Sequence, residues 1–193
     1  MDPIPPDPAD TIYLGPRPRL DGPVTLADPD PRWPSVAARL VASVVEVLGS
    51  RVLLLEHVGS TAVPDLPAKP VIDLVLAVAD PTDEASYVPD LEALGFWLHV
   101  REPEWHQHRL LKQADINLHV FGIGEDEIDR MLAFRDHLRS DVRDRRLYRD
   151  TKQALAGRTW AYVQDYADVK SDVVAEIMCR ASARRASPSC PGS

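Results

Sequence analysis

Between Pro34 and Gly49 the apolar residues Val36, Leu40, Val44, Val47 and Leu48 recur at helical spacing. A proline in the first turn and a glycine after the last bound that segment as a helix. The short β-branched and aliphatic run from Val52 to His57 predicts a strand. A second strand, Val71 to Ala79, is apolar on both faces and is therefore central to its sheet. Tyr87 to Leu94 predicts a short helix ended by Gly95, and Phe96–Arg101, His108–Lys112 and Asn117–Gly122 predict three further strands. The pattern then turns helical. Ile128, Met131, Leu132 and Leu138 mark one helix, Arg145 to Leu155 a second, and Trp160, Val163, Tyr166, Ala167, Val173, Val174 and Ile177 the stripe of a third. Strands early and helices late imply an α+β fold, a mixed sheet with a helical C-terminal layer.

Prolines at 3, 5, 6, 8, 16, 18 and 23 make residues 1–23 an extended or disordered arm. Residues 181–193 read as a second loose tail, which leaves a single domain over 24–180. The 193 residues, 45% hydrophobic and 27% charged, suffice for a core of ordinary soluble composition. No apolar run approaches the roughly 18 residues of a membrane span. The acidic, proline-rich start is not a secretory signal. Cys179 and Cys190 are too few and too late for a disulfide framework or a zinc site, so a reducing cytoplasm is the expected setting. A net charge of -8 speaks against a broad nucleic-acid surface and leaves room for a small basic pocket.

Asp73 breaks the hydrophobic pattern. A carboxylate inside a central strand costs several kcal/mol unless a cation or hydrogen bonds compensate it. Strand period sets Val71, Asp73, Val75 and Ala77 on one face. Two explanations stand: an arginine partner or loop cap, or a metal or catalytic role on a face that opens near the strand's start. Gly59-Ser60-Thr61 follows the preceding strand. There, backbone N–H groups and hydroxyls can approach a phosphate, although such turns are also common without one.

The segments DPDPRWP (28–34), EHVGSTAVPDLPAKPVIDLVLAV (56–78), HRLLK (108–112), NLHVF (117–121), AFRDHLR (133–139) and LYRDTKQALA (147–156), with the helix containing Lys170, resemble the GrpB family of nucleotidyltransferase-fold proteins. The resemblance covers most of 24–175 in order. It implies a polymerase-β-like nucleotidyltransferase core with C-terminal helices; GrpB domains also occur fused to dephospho-CoA kinase. In that superfamily a Gly-Ser turn precedes a strand with two aspartates one residue apart, which hold Mg²⁺ for a nucleoside triphosphate. Gly59 and Ser60 match the turn and Asp73 the second aspartate. Valine stands at 71, where the first would be.

Glu56 and His119 are the candidates to complete a metal and catalytic set with Asp73. Oxygen ligands suit Mg²⁺, and an imidazole suits Mn²⁺ or Zn²⁺ better. His119 can equally be a general base or a hydrogen-bonded structural residue. Thr61, Lys69, Arg109 and Lys112 are the candidate phosphate contacts beside Gly59 and Ser60; the alternation 108–112 puts Arg109 and Lys112 on opposite faces. Arg135 and Arg139 read as a surface ion-pair face. Three functions follow. One is an enzyme using ATP or another NTP with Mg²⁺ or Mn²⁺ to transfer a nucleotidyl group to a small-molecule acceptor, by adenylation where the acceptor is a carboxylate. The second is a nucleotide-binding module without catalysis. The third is a metal or acid–base enzyme that uses no nucleotide.

Overall fold

A computed structural model describes residues 10–15, 19–162 and 170–186. Its main sheet has six strands, β1 (Ile12–Tyr13), β3 (Leu54–Val58), β4 (Ile72–Val78), β5 (Trp97–Glu102), β6 (His108–Gln113) and β7 (Ile116–Gly122). Their order is β1-β5-β6-β7-β4-β3, with β4 and β7 parallel and every other pair antiparallel. A two-stranded sheet pairs β2 (Arg19–Pro23) with β8 (Thr159–Tyr162). Among the described residues the α-helices are α1 (Trp33–Leu48), α2 (Val88–Ala93), α3 (Asp126–Ser140), α4 (Val142–Ala156) and α5 (Ser171–Ala186). The expected α+β mixed sheet with late helices is what forms. No helix of the described residues is long and apolar enough to cross a membrane.

β4 is apolar on both faces because both are covered. Ile72, Leu74, Leu76 and Val78 pack with Trp33, Ala37, Val44 and Leu48 of α1 and with Val88 and Leu91 of α2. Val75 and Ala77 join Val58 and Phe121 under Ile128, Met131 and Leu132 of α3. Leu138, Tyr148, Val173 and Ile177 then bind α3, α4 and α5 to one another. Asp73 is the second residue of β4, on the face that α3, α4 and α5 cover.

Several boundaries differ from the sequence expectation. β4 starts at Ile72, because Val71 N–H turns back to the Lys69 carbonyl at 2.7 Å after Pro70 and its own carbonyl accepts from Thr61 Oγ1 at 3.0 Å. Val71 is therefore outside the ladder. Parts of the 1–23 arm are strands: Ile12 and Tyr13 pair with Arg101 and Val100, which satisfies an open edge of the sheet, and Gly22 pairs with Trp160. That pairing places Trp160 in β8 rather than on a helix. Of its predicted stripe, Val173, Val174 and Ile177 lie on α5, which continues past 180 to Ala186. Val163, Tyr166, Ala167, Cys190 and the ends 1–9 and 187–193 lie outside the described residues.

Candidate functional site

A cavity of about 480 Å³ lies where the helical layer meets the start of β4. The turn after β3 supplies Gly59 and Ser60, β4 supplies Asp73, and β7 supplies Asn117 and His119. The strand register brings them together: Val58 and Asn117 flank Asp73 on either side, and His119 stands beside Val75 one pleat further on. Lys69 comes from the loop before β4. Tyr148 and Lys152 come from α4, and Lys170 from the residue before α5.

Both oxygens of Asp73 have close neighbours. Asn117 Nδ2 donates to its Oδ1 at 2.8 Å, and His119 Nε2 lies 3.9 Å from the same oxygen. Gly59 backs against its other oxygen: a Cβ built at 59 would sit 2.5 Å from Asp73 Oδ2, and the glycine has φ +71°. The Gly-Ser turn thus lies in van der Waals contact with the carboxylate it precedes. His119 is itself anchored, with Nδ1 3.1 Å from His108 Nε2, and His108 Nδ1 is 2.6 Å from Glu102 Oε2.

A group of lysines lines the same cavity as this carboxylate. Lys152 is 2% exposed, and its Nζ donates to the Pro67 carbonyl at 2.6 Å. Burial, and then Lys170, push its ammonium down to about 7. Burial also lowers Lys170, against the pull of Asp73. Lys69 is lowered by burial and by Lys170, again against Asp73. Cations crowded out of water in this way gain most from an anion placed among them. Burial pushes the Tyr148 phenol up, against a hydrogen bond with Ser60.

Of the residues singled out from sequence, Gly59, Ser60, Lys69, Asp73 and His119 meet in the cavity. Lys112 shares the Asp73 face through its register with Asn117, and burial and then Lys69 lower its ammonium pKa, but it is not among the residues that line the cavity. Thr61 is buried beneath the turn, with its hydroxyl between His57 Nε2 and the Val71 carbonyl. Glu56 does not join the set. It is opposite Val75, which separates it from His119 by two strand spacings, about 10 Å, and its Oε2 accepts from Arg135 at 2.9 Å. Arg109 points to the other face, 5% exposed and held by Glu84 Oε1 at 2.6 Å. Arg135 is not a surface residue either: it is 8% exposed and also donates to the His57 carbonyl, tying α3 to the end of β3.

Sequence reading missed Lys152, Tyr148, His108 and Glu102 as parts of this site. The buried positions Asp144, Tyr148, Lys152 and Leu155 fall on one stripe of α4, so a lysine at apolar helical spacing was the available signal. Nothing local marks Glu102. Outside the cavity, His137, Asp141 and Asp144 bring ligand atoms within 4.8 Å of one another at the junction of α3 and α4. Their donors are already engaged: Asp141 caps α4 through the Asp144 N–H, and Asp144 takes His137 at 2.7 Å and Arg180 at 2.8 Å.

Burial lowers both His57 and His108 to about 4 from an ordinary 6.5. The folded state thus binds fewer protons than the unfolded state, and stability falls as pH drops from 6.5 towards 4. Thermal melts across that window are expected to show the loss, with a shallower slope in His57→Gln.

A family model described as GrpB protein matches residues 23–180. A UPF0157 protein of Halalkalibacterium halodurans is 53% identical over 162 residues, covering 83% of this chain and 83% of the relative. A UPF0157 protein of Streptomyces coelicolor is 44% identical over 164 residues, covering 84% and 86%. A protein named dephospho-CoA kinase from Mycolicibacterium paratuberculosis is 30% identical over 177 residues, where 77% of this chain matches 43% of that one. The crystal structure of the conserved protein GrpB from Enterococcus faecalis superimposes with a TM-score of 0.69 at 24% identity, over 84% of this chain and 100% of the other. The shared architecture is the nucleotidyltransferase-like mixed sheet with C-terminal helices.

Proposed function

Since the chain belongs to the GrpB family, we propose that it is an enzyme that binds a nucleoside triphosphate with a divalent cation and transfers a nucleotidyl group to a small-molecule acceptor. One observation carries this reading: Asp73, the carboxylate that lines the cavity among the described residues, shares it with Lys69, Lys152 and Lys170 beside the Gly59-Ser60 turn. A cation on the carboxylate and phosphates among the lysines would each stand beside charge of the opposite sign. Asp73 and the Nε2 of His119, 3.9 Å apart, fit as the protein residues that would hold a single Mg²⁺ or Mn²⁺. Bound there, the cation would supply Lewis-acid stabilisation of phosphate charge. The lysines hold and neutralise the phosphates. Lys152 regains a full proton as the anion arrives. A carboxylate acceptor makes the product an acyl adenylate, suited to amide or ester formation.

Val71 favours a second reading. It lines the cavity where a second carboxylate would stand and offers no ligand. A protein that binds nucleotide without turning it over fits that departure. Thermal shift with each of the four NTPs plus Mg²⁺ or Mn²⁺, together with pyrophosphate release in the presence of a metabolite mixture, separates the two. Stabilisation with pyrophosphate release supports the enzyme, and stabilisation alone supports the binding module. No response to any nucleotide sinks both and leaves an acid–base or metal enzyme without a nucleotide. Lys152→Met keeps the buried stem and removes the charge. It is expected to weaken nucleotide affinity about tenfold, the equivalent of about 1.4 kcal/mol, as read from the ligand dependence of the melt.

A further inference from the structure

Behind His119 a run of side chains crosses three strands. Thr11 Oγ1 donates to Glu102 Oε1 at 3.0 Å, and Glu102 Oε2 holds His108 Nδ1 at 2.6 Å. His108 Nε2 meets His119 Nδ1 at 3.1 Å, and His119 Nε2 faces Asp73 Oδ1 at 3.9 Å. The register of the sheet builds this line, since Glu102 pairs with His108 across β5 and β6 and Leu110 pairs with His119 across β6 and β7. The proposed function uses only its last two members.

We infer that Glu102 and His108 are positioning residues that hold His119 in the tautomer with Nδ1 protonated and Nε2 bare, aiming a lone pair into the cavity beside Asp73. A carboxylate can only accept, so the His108 proton sits on Nδ1. A neutral His108 then has its lone pair on Nε2, and His119 must donate to it from Nδ1. The surroundings keep His108 neutral: it is 4% exposed, stacked on Phe121 with ring centroids 4.6 Å apart and edge-on to Trp105 at 5.3 Å. At 3.9 Å, outside hydrogen-bond reach, a bare nitrogen and a carboxylate oxygen face each other as two acceptors. That pair calls for a cation between them, and this consequence rests on the cation reading above. Carboxylate–histidine support of this kind fixes ring orientation and raises ligand basicity.

Long-range ¹H–¹⁵N spectra of the metal-free wild-type protein at neutral pH test the tautomer directly, without any activity. His119 is expected to show an unprotonated Nε2. Glu102→Gln, which keeps the shape, is expected to release His119 into tautomer exchange. The same substitution is expected to weaken Mn²⁺ binding, measured with Mn²⁺ alone by electron paramagnetic resonance, by about tenfold or more. A proton on His119 Nε2 in the wild type overturns the inference. So does a Glu102→Gln protein whose His119 spectrum matches the wild type. A wild type that shows the bare Nε2 but does not take up Mn²⁺ establishes the tautomer lock and sinks the cation reading of the proposed function instead.

Discussion

Asp73→Asn is expected to abolish cation-dependent nucleotide binding and any pyrophosphate release, while leaving metal-free anion binding intact or stronger. The substitution keeps the side chain's shape and an oxygen for Asn117 Nδ2, which donates to the wild-type carboxylate at 2.8 Å. What it removes is the charge. Losing the one carboxylate among the proposed ligands forfeits several kcal/mol of cation-mediated stabilisation, which at about 1.4 kcal/mol per decade is on the order of a thousandfold. Bare anions lose only the support that Asp73 gives the lysines and are relieved of its repulsion. Asp73 supports the protonated forms of Lys69, Lys112 and Lys170 against burial. It also repels any phosphate that arrives without a metal. Titrating pyrophosphate with and without Mn²⁺ into both proteins reads the two effects separately. Equal loss of affinity with and without the cation would mean that Asp73 acts only as a structural partner of Asn117.

Gly59→Ala is expected to destabilise the protein and to disable the site together. The glycine has φ +71° and ψ −171°, a region that side chains beyond glycine essentially never occupy, at a cost of about 1–3 kcal/mol. The added methyl would also lie 2.5 Å from Asp73 Oδ2 and 3.1 Å from its Cβ and Cγ. Asp73 cannot swing away easily, because its side chain is short and Asn117 holds it. Either the turn unwinds or the carboxylate shifts, and both move it from the cavity. A fall in melting temperature of roughly 5–10 °C is expected for a chain of this size. Nucleotide stabilisation is expected to vanish even at temperatures where the variant is folded. Gly59→Ala melting like the wild type would show that the turn relaxes freely and that its conformation is not set by the contact with Asp73.

The two variants mark how far the chain could be read before it was folded. Hydrophobic periodicity determined α1, the central β4, the three later strands and the presence of late helices, because spacing records which side of each element is inward. It also exposed Asp73 as a charge out of place and put Asn117, His119 and Phe121 on one face of β7. The motif EHVGSTAVPDLPAKPVIDLVLAV carried the family resemblance and hence the Gly59–Asp73 link. Spacing does not record what stands opposite an inward face, and that is where reading stopped. Glu56 and Arg109 looked as suitable as Lys69. Only the packing of α3 gave Glu56 to Arg135, and only the sheet's two sides gave Arg109 to Glu84. Lys152 and Lys170 share a cavity with Asp73 because α4 and α5 close over the start of β4. Glu102 reaches His119 because three antiparallel strands stack their ends in register. Each of these is a long-range pairing with free energy in burial and charge rather than in local propensity. The chain by itself therefore determined the carboxylate, and the tertiary structure decided which cations and which histidine it faces.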